Sequence, residues 1–383
     1  MTRDRATDAC PGALQLHQAA DGGLARIRLP GGMLTAAQLS VLCDVAAEHG
    51  SGTLELTARG NVQVRGITDA TAVVPELTAA GLLPSATHER VRNIVASPLS
   101  GRRGGLADVR PWVTRLDEAI CADPLLAGLS GRFWFSVDDG RGDVSGLRAD
   151  VGAQVLPEGL GDGGDVAVLL TGRDTGVRVT PEDVVPRLIE MARRFADIRG
   201  TAWRVSELAD PAVLLDDPAP LSADLFAAPT DTAPVGWITQ DQPDLVALGA
   251  GVPMGVLTER MGRYVAAIEA PLVITPWRSV LICDLDEGVA DVALRVLAPM
   301  GLVFDENSPW LRISACTGSP GCAKSAGDVR GDLAALMNAR LVADLNDKPG
   351  VHRHFVGCDR ACGSPPAAEV LVTDGGGYRV LRS

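Results

Sequence analysis

One pattern of predicted elements occurs twice in the chain, at a separation of about 220 residues. In the first copy the elements are, in chain order, a strand at 24–29, a helix from about Thr35 to His49, two short strands within 53–67 and a helix at about 70–80. In the second copy they are a strand at 244–253, a helix at 257–268 and a strand pair within 271–285. Aligning Thr57 with Thr275 also aligns the apolar strand positions, and Leu34-Thr35 recurs as Leu257-Thr258. Because solenoid repeats are far shorter, this pattern indicates duplication of one whole α/β module.

Each copy is followed by a second predicted α/β segment. The first such segment contains strands at 132–140 and 165–172, and a helix with Thr180 as its cap and Pro181 at its first position. The second segment carries the C-terminal cysteines and ends in "TDGGGYRV" (373–380), whose glycine run is typical of a hairpin turn. A stretch rich in Pro, Asp and Ala at 216–234 predicts a linker between the two halves. We therefore predict four units, which span 1–80, 81–225, 226–295 and 296–383.

The charge balance restricts the partners of the protein. The 383-residue chain has a net charge of −13, from 35 basic and 48 acidic residues, which disfavours nucleic acid and anionic membranes. No apolar run reaches the roughly 18 residues of a membrane span, and the first residues resemble neither a signal peptide nor a transit peptide. These features predict a cytoplasmic protein. Its eight cysteines are then reduced, and they serve as core residues, nucleophiles or metal ligands.

Four of the cysteines lie near the C-terminus, as Cys316-x5-Cys322 and Cys358-x3-Cys362. Structural zinc sites usually pair their cysteines through about two to four residues, which suits the second pair but not the first. Iron–sulfur clusters accept wider spacings. The pattern therefore favours a cluster over zinc, and both over cysteines without a ligand.

Other features near these cysteines were also interpreted. Ser319 as a cap and Pro320 as a first residue predict a helix whose free N–H groups would face the second cysteine. His352 and His354 share a strand face with the third if that segment is extended; they are either solvated or hydrogen-bonded, or they reach a metal or ligand. The dispersed thiols are predicted to be small buried residues: Cys10, Cys43, Cys121 and Cys283.

A second group of candidate residues is cationic and belongs mainly to the first copy. It includes the polar positions of "LTARGNVQVRG" (56–66) and of the strand before it. Its members are Arg26, Arg28, Arg59, Gln63, Arg65, Arg90 and Arg92. One interpretation is a solvated face with scattered ion pairs. The other is a site for a ligand with several carboxylates, which an acidic protein would otherwise repel.

The two groups together resemble a known family. The cysteine spacing, the "LTARGNVQVRG" motif and the duplicated module are similar to the sulfite/nitrite reductase superfamily over nearly the whole chain. The resemblance implies an α+β fold, in which two duplicated ferredoxin-like half-modules, at 1–80 and 226–295, join two α/β domains. It also implies a 4Fe–4S cluster on Cys316, Cys322, Cys358 and Cys362, and a polycarboxylate tetrapyrrole in the cleft between the modules.

Within the superfamily, the chain resembles the branch that acts in aerobic cobalamin biosynthesis. The similar segments are "ACPGALQLHQAADGGLARIRLPGG" (9–32), Gly60 within the N-terminal motif and "HFVGCDRACG" (354–363). Val356 departs from the serine that is usual in that branch. Arg132-Phe133-Trp134 stands where the reductases carry Lys-x-Lys, and the loss of the second cation argues against reduction of sulfite or nitrite.

This resemblance implies an O2-dependent monooxygenase in which the tetrapyrrole is the substrate. Precorrin-3A would be hydroxylated at carbon 20, and a ring-A acetate would close a γ-lactone. The residues implied to hold the substrate carboxylates are Arg59, Arg65 and Arg92 with Gln63 and Asn93, and further candidates are Arg26, Arg28 and Arg132. A separate mononuclear non-haem iron is implied, with His354 as a hypothetical ligand; no catalytic residue is identified.

Electrons are predicted to come from a partner reductase, because no strand–GxGxxG–helix pattern for a nicotinamide cofactor occurs. Two alternatives remain open. One is a compact sirohaem-dependent sulfite or nitrite reductase, which shares the cluster ligands. The other is a non-catalytic carrier of an iron–sulfur cluster or a tetrapyrrole.

Overall fold

The structure is a computed structural model that describes residues 8–157, 165–217, 221–222, 233–338, 350–365 and 367–382. The predicted linker at 216–234 lies largely outside these residues. None of the described helices has the length and apolar character that crossing a membrane requires.

The first copy of the module forms a sheet with two helices. Its elements are β1 (His17–Ala19), β2 (Gly22–Ile27), β3 (Met33–Leu34), α1 (Ala36–His49), β4 (Thr53–Leu56), β5 (Val62–Ile67) and α2 (Ala70–Ala79). Helix α1 begins where predicted because Thr35 and Gln38 form a reciprocal capping box. Its apolar face, which includes Leu39 and Leu42, is fully buried against the sheet.

The segment after the first copy forms a separate five-stranded sheet, in the order β10-β9-β8-β7-β6. Its elements are β6 (Ile94–Ala96), α3 (Arg110–Ala122), β7 (Phe135–Asp138), β8 (Val151–Val155), β9 (Val166–Leu170), β10 (Arg173–Val179) and α4 (Val184–Ile198). Helix α4 begins later than the predicted start at Pro181. The Asp183 N–H donates to the Thr180 carbonyl, so residues 180–183 form a turn that precedes the helix.

The second copy repeats the arrangement of the first. Its elements are β11 (Gly236–Thr239), β12 (Leu245–Gly251), β13 (Val256–Thr258), α5 (Glu259–Ala266), β14 (Leu272–Ile274), β15 (Ser279–Asp286) and α6 (Glu287–Leu297). Thr258 caps α5 as Thr35 caps α1, because its hydroxyl accepts a hydrogen bond from the Met261 N–H. The predicted duplication is confirmed.

The two copies exchange one short strand each. Strand β13 of the second copy pairs with β4 of the first, with Leu257 opposite Leu54. Strand β3 of the first copy pairs with β14 of the second, with Leu34 opposite Leu272. The sheet orders are therefore β1-β2-β5-β4-β13 and β11-β12-β15-β14-β3, and one hydrophobic core is continuous through both copies.

The same turn follows the exchanged sheets in each copy. The Thr57 N–H donates to the Asn61 carbonyl at 2.9 Å, and the Thr275 N–H donates to the Ser279 carbonyl at 2.9 Å. The fourth residue of each turn has left-handed backbone, with φ of 64° at Gly60 and 58° at Arg278. Glycine adopts this conformation without strain, whereas an arginine does not.

The last unit is a four-stranded sheet in the order β16-β17-β18-β19. Its elements are β16 (Ile313–Ala315), α7 (Val329–Asn338), β17 (Arg353–Val356), β18 (Glu369–Thr373) and β19 (Tyr378–Arg382). The predicted hairpin around the glycine run is present, since β18 and β19 pair with Thr373 opposite Tyr378.

The predicted helix starting at Pro320 is wrong. Residues 317–328 form turns, and the next helix begins at Val329. The Ser319 N–H donates to the Gly327 carbonyl at 2.9 Å and the Ala326 N–H to the Gly357 carbonyl at 2.8 Å. These longer-range hydrogen bonds close the segment into a loop and outweigh the local cap signal.

Candidate functional site

Both cysteine-bearing loops leave the same edge of the last sheet. Strands β16 and β17 are parallel neighbours, with Ser314 opposite His354. Cys316 directly follows β16, and its N–H donates to the Phe355 carbonyl at 2.9 Å. Cys358 follows β17 by two residues, so the carboxyl ends of two adjacent strands bring the predicted pairs together.

The two loops are also joined by hydrogen bonds and close packing. The Gly357 N–H lies 3.3 Å from Cys316 Sγ, and the Gly357 carbonyl accepts from Ala326 in the first loop. A Cβ atom at residue 357 would lie 1.7 Å from Ser325 Oγ. Glycine is therefore required at this approach of the two loops.

The electrostatics of the thiols suit a metal cluster. Burial raises the pKa of Cys316, backbone donors at Gly357 and Gly318 oppose that rise, and nearby Cys362 and Cys322 thiolates add to it. Thiolates that repel each other at this distance are stabilised when iron binds them. All four thiols are free of disulfides. The donor set therefore fits a 4Fe–4S cluster held by the two pairs.

His354 supports the fourth cysteine. Its ring is fully buried, with Nε2 3.0 Å from the Cys362 carbonyl and Nδ1 2.8 Å from Ser314 Oγ. Because a carbonyl only accepts, Nε2 is the protonated nitrogen and Nδ1 accepts from the serine. Burial lowers the pKa of His354 to about 4, so the ring is neutral. Both ring nitrogens are used within the protein, which leaves neither for the hypothetical iron.

A hydrogen-bonded row of side chains crosses the first sheet. Arg26, Gln63 and Glu55 lie opposite one another on β2, β5 and β4. Arg26 Nε donates to Gln63 Oε1 at 2.8 Å, and Gln63 Nε2 donates to Glu55 Oε2 at 3.2 Å. Glu55 is buried and also accepts from Arg330 Nη1 at 2.6 Å, which links the row to α7 of the cysteine unit.

Arg65 joins the same sheet to the cysteine loops. Its Nη2 donates to the Gly321 carbonyl at 2.8 Å, next to Cys322. Its Nε and Nη2 also bind the two oxygens of Asp21, at 2.9 and 3.0 Å. The structure thus brings together the cationic motif and the cysteines, which are far apart in the sequence.

Three arginines near this row lack carboxylate partners. Within the described part of the chain, no acidic side chain forms an ion pair with Arg26, Arg28 or Arg59. Burial, then neighbouring Arg26, lowers the pKa of Arg28 to about 9, and burial, then Arg204, lowers the pKa of Arg59 to about 10. Arg26 Nη1 and Arg28 Nη2 lie 3.2 and 3.4 Å from Cys10 Sγ. This surplus of positive charge is the electrostatic feature of the cleft.

Two buried donors accompany these cations. Among the described residues, Arg28 Nε and Trp134 Nε1 have no hydrogen-bond acceptor. The guanidinium of Arg59 lies over the Trp134 ring, 5.4 Å from its centroid. Buried donors without acceptors are rare in native proteins, so an acceptor-rich ligand is expected here.

The other predicted ligand residues have different surroundings. Arg92 is buried and binds Asp117 of α3 through two hydrogen bonds of 2.7 and 2.6 Å. Asn93 Nδ2 donates to the carbonyls of Gly131 and Phe133, at 3.0 and 3.1 Å. Arg132 is exposed and its guanidinium lies 5.0 Å from the centroid of the Trp203 ring. None of the three is part of the group of unpaired arginines.

Several residues of the site were missed by sequence reasoning. Glu55 and Arg330 carry no local signal, because each becomes recognisable only when β4 and α7 pack together. Cys10 was predicted to be a small buried residue, yet it is half-buried beside two guanidinium groups. For Cys43 and Cys283 that prediction is confirmed, since both are fully buried.

Comparisons with known proteins agree with this architecture. Residues 17–80 match the nitrite/sulfite reductase ferredoxin-like half domain. Precorrin-3B synthase of Sinorhizobium sp is 29% identical over 388 residues, which are 97% of this chain and 82% of that protein. Ferredoxin–nitrite reductase of Synechococcus elongatus is 24% identical over 394 residues, 91% of this chain and 75% of that protein. The structure of Mycobacterium tuberculosis NirA protein superposes with a TM-score of 0.73 at 20% identity, over 94% of this chain and 73% of that one.

The fold and the site therefore define a protein of the nitrite/sulfite reductase type, with an α+β fold and a ferredoxin-like half domain. The relatives of this type are oxidoreductases. Within the type, the predicted resemblance to precorrin-3B synthase is confirmed and extends over nearly the whole chain.

Proposed function

We propose that the protein is a precorrin-3B synthase, an O2-dependent monooxygenase of aerobic cobalamin biosynthesis. One atom of O2 hydroxylates precorrin-3A at carbon 20, and the other leaves as water after two electrons and two protons are supplied. A ring-A acetate then closes the γ-lactone. The observation that carries the proposal is the group of unpaired arginines beside the cysteine loops, in a chain that is similar to precorrin-3B synthase over 97% of its length.

The unpaired arginines suit a substrate rich in carboxylates. Arg26, Arg28 and Arg59 have no acidic partner among the described residues, and the Arg28 Nε and Trp134 Nε1 donors lack acceptors. A buried cation without a counter-ion is costly, and each substrate carboxylate that reaches one offsets that cost. We assign substrate binding to these residues, with Gln63 and Arg65 holding the sheet in place around them.

The residue pattern at β7 favours substrate over anion reduction. Arg132 is exposed and Trp134 is buried, so this strand presents one cation and one indole where the reductases carry two lysines. A buried indole does not deliver charge or protons to bound sulfite or nitrite.

The cysteines would hold the cluster, which supplies one-electron transfer when it is bound. Cys316, Cys322, Cys358 and Cys362 are the ligands in this proposal, and His354 holds the Cys362 carbonyl in position. Electrons would come from a partner reductase.

The implied mononuclear iron has no ligand set in this proposal. His354 is excluded by its two hydrogen bonds. A buried acidic group exists at Asp138, Asp139 and Asp143, whose ligand atoms lie within 4.8 Å of one another. The oxygens of Asp138 accept four backbone N–H groups and Asp139 binds Arg141, so both carboxylates already have partners.

The test is turnover of precorrin-3A by cluster-replete protein with a chemical reductant and ¹⁸O2. We expect a product that gains one labelled oxygen atom. A protein that contains the full cluster and leaves precorrin-3A unchanged would contradict the proposal and favour a carrier role.

The second candidate is a sirohaem-dependent nitrite or sulfite reductase, which the similarity to ferredoxin–nitrite reductase favours. The visible spectrum of the purified protein separates the two. Sirohaem gives intense macrocycle bands, whereas a cluster alone gives a broad brown absorption. Reduction of nitrite or sulfite with a sirohaem spectrum would replace the first proposal by the second.

A further inference from the structure

Arg278 occupies a strained backbone position beside the fourth cysteine. It has left-handed backbone with φ of 58°, at the turn position where the first copy has Gly60 with φ of 64°. An arginine in this region costs stability relative to glycine, so the conformation persists only if the surrounding contacts maintain it. Such outliers are often found at functional sites, which makes the contacts of this side chain informative.

The side chain of Arg278 reaches across to the loop of Cys362. Its Nη2 donates to the Gly363 carbonyl at 3.1 Å, while His354 Nε2 donates to the Cys362 carbonyl at 3.0 Å. Gly363 has φ of 81°, and a Cβ there would lie 3.6 Å from Arg278 Nη2 and 3.8 Å from His354 Cε1. Two consecutive carbonyls at the fourth cysteine are thus held by donors from two different elements.

The charge of Arg278 is not neutralised by a close partner. No carboxylate of the described residues forms an ion pair with it, and the nearby Glu55 already binds Arg330 at 2.6 Å. Burial, followed by repulsion from Arg330, lowers the pKa of Arg278. The neighbouring histidines, His352 and His354, are neutral at pH 7 because burial lowers the pKa of each to about 4. The positive charge beside the Cys362 loop therefore comes from Arg278 and Arg330.

We propose that Arg278 is a positioning residue for the iron–sulfur cluster: its hydrogen bond fixes the Cys362–Gly363 segment, and its uncompensated charge raises the reduction potential of the cluster. The inference rests on the cluster assignment in the proposed function. A cluster with four thiolate ligands is anionic and gains a negative charge on reduction, so a nearby cation stabilises the reduced form more than the oxidised form.

The experiment compares three substitutions in the full-length, cluster-loaded protein. Arg278→Lys keeps the charge, Arg278→Gln removes the charge but keeps the strained backbone, and Arg278→Gly removes both the charge and the strain. Arg295→Gln is the matched control, because Arg295 is an exposed arginine of α6 paired with Asp291. The measurements are iron and sulfide content, cluster potential by redox titration followed by electron paramagnetic resonance, and the thermal unfolding midpoint.

We expect the Gln and Gly variants to shift the reduction equilibrium by about tenfold towards the oxidised form, which is about 59 mV for a one-electron couple. The Lys and Arg295→Gln variants should keep the parent potential. The Gly variant should unfold at or above the parent temperature, because glycine relieves the strain. A residue with only a structural role would not lower the potential while stability is kept.

Parent-like potentials in the Gln and Gly variants with full cluster content would overturn the proposal, as would an equal shift in the Lys variant. If the Gln and Gly variants fail to hold the cluster, retention by the Lys variant supports the role of charge. Loss in all three variants overturns that role. A potential shift in a parent protein that does not convert precorrin-3A would refute the proposed function and keep this inference, while the converse result would refute the inference alone.

Discussion

Arg65 of β5 donates a hydrogen bond of 2.8 Å to the carbonyl of Gly321, which lies 256 residues further along the chain. Asp21 binds the other side of the guanidinium and fixes its direction. Through this bond the N-terminal half of the molecule contacts the loop of Cys322. Changes in the N-terminal motif should therefore alter the cysteine site.

Arg65→Gln should reduce cluster retention. Glutamine cannot bind both oxygens of Asp21 and also reach the Gly321 carbonyl, so the loop of Cys322 loses its anchor and the Asp21 charge is left half-buried. We expect lower iron and sulfide content and faster loss of the cluster absorption in air. Arg263→Gln, which changes an exposed surface arginine, should match the parent. Equal cluster lifetimes in both variants would contradict this prediction.

Cys358→Ser should abolish or strongly reduce cluster binding, because a hydroxyl is a poor ligand for iron–sulfur iron compared with a thiolate. Cys121→Ser is the control, since Cys121 lies in α3 and takes no part in the site. Iron and sulfide counting on both proteins checks the prediction. Full cluster content in Cys358→Ser would remove this cysteine from the ligand set.

Arg59→Gln and Arg92→Gln should have opposite effects on binding and stability. Arg59 has no acidic partner among the described residues, so its loss should weaken tetrapyrrole binding about tenfold or more, with little loss of stability. Arg92→Gln leaves Asp117 half-buried and unpaired, which should cost about 3 kcal/mol in the free energy of unfolding.

Fluorescence or absorbance titration with a precorrin and urea unfolding measure these two effects. The prediction for Arg59 would be wrong if its variant bound the tetrapyrrole as the parent does while Arg92→Gln lost affinity without losing stability.

Gly357→Ala should destabilise the cysteine unit. The new Cβ would lie 1.7 Å from Ser325 Oγ and 2.6 Å from Ser325 Cβ, so the two loops must separate. Overpacking of this kind costs about 1–3 kcal/mol, and the thermal midpoint and cluster content should both fall. Gly377→Ala is the matched control, because no atom lies within 4 Å of a Cβ built there. Equal midpoints for the two variants would show that the loops can adjust.

Stability should rise with pH between about 4 and 6.5 through His354. Its folded-state pKa is lowered to about 4 by burial, so within this window the unfolded chain binds a proton that the folded chain does not. The contribution is fully present above the unfolded pKa of about 6.5 and is lost as pH falls towards 4. Over the full window it amounts to about 3 kcal/mol.

Urea unfolding of the parent and of His354→Gln at several pH values measures this slope. Subtracting the two curves removes the contribution of other groups, such as Asp143, whose pKa is raised to about 7 by burial and by Asp138. A variant with the same slope as the parent would show that His354 is not the titrating group.

The duplicated module could be predicted from the sequence because its signals are local and repeated. The capping residues Thr35 and Thr258 lie at equivalent places, and apolar residues follow each at helical spacing. The spacing of the four cysteines is also a local property. These features survive folding because no distant contact opposes them.

The parts that could not be predicted depend on distant contacts. The exchanged strands are only two and three residues long, too short for any periodicity to reveal their partners. The Ser319-Pro320 step gave a helix signal that hydrogen bonds to Gly327 and Gly357 override. Arg92 looked like its cationic neighbours until α3 placed Asp117 against it.

The exchange of β3 and β13 means that the two copies cannot be separated. Without the second copy the edge of β4 has no partner, and without the first the edge of β14 has none. The same arrangement between two identical chains would be a domain-swapped homodimer, and here a single polypeptide contains both members. The repeat is therefore one obligate folding unit, in which either copy could diverge only while its exchanged strand still fitted the other.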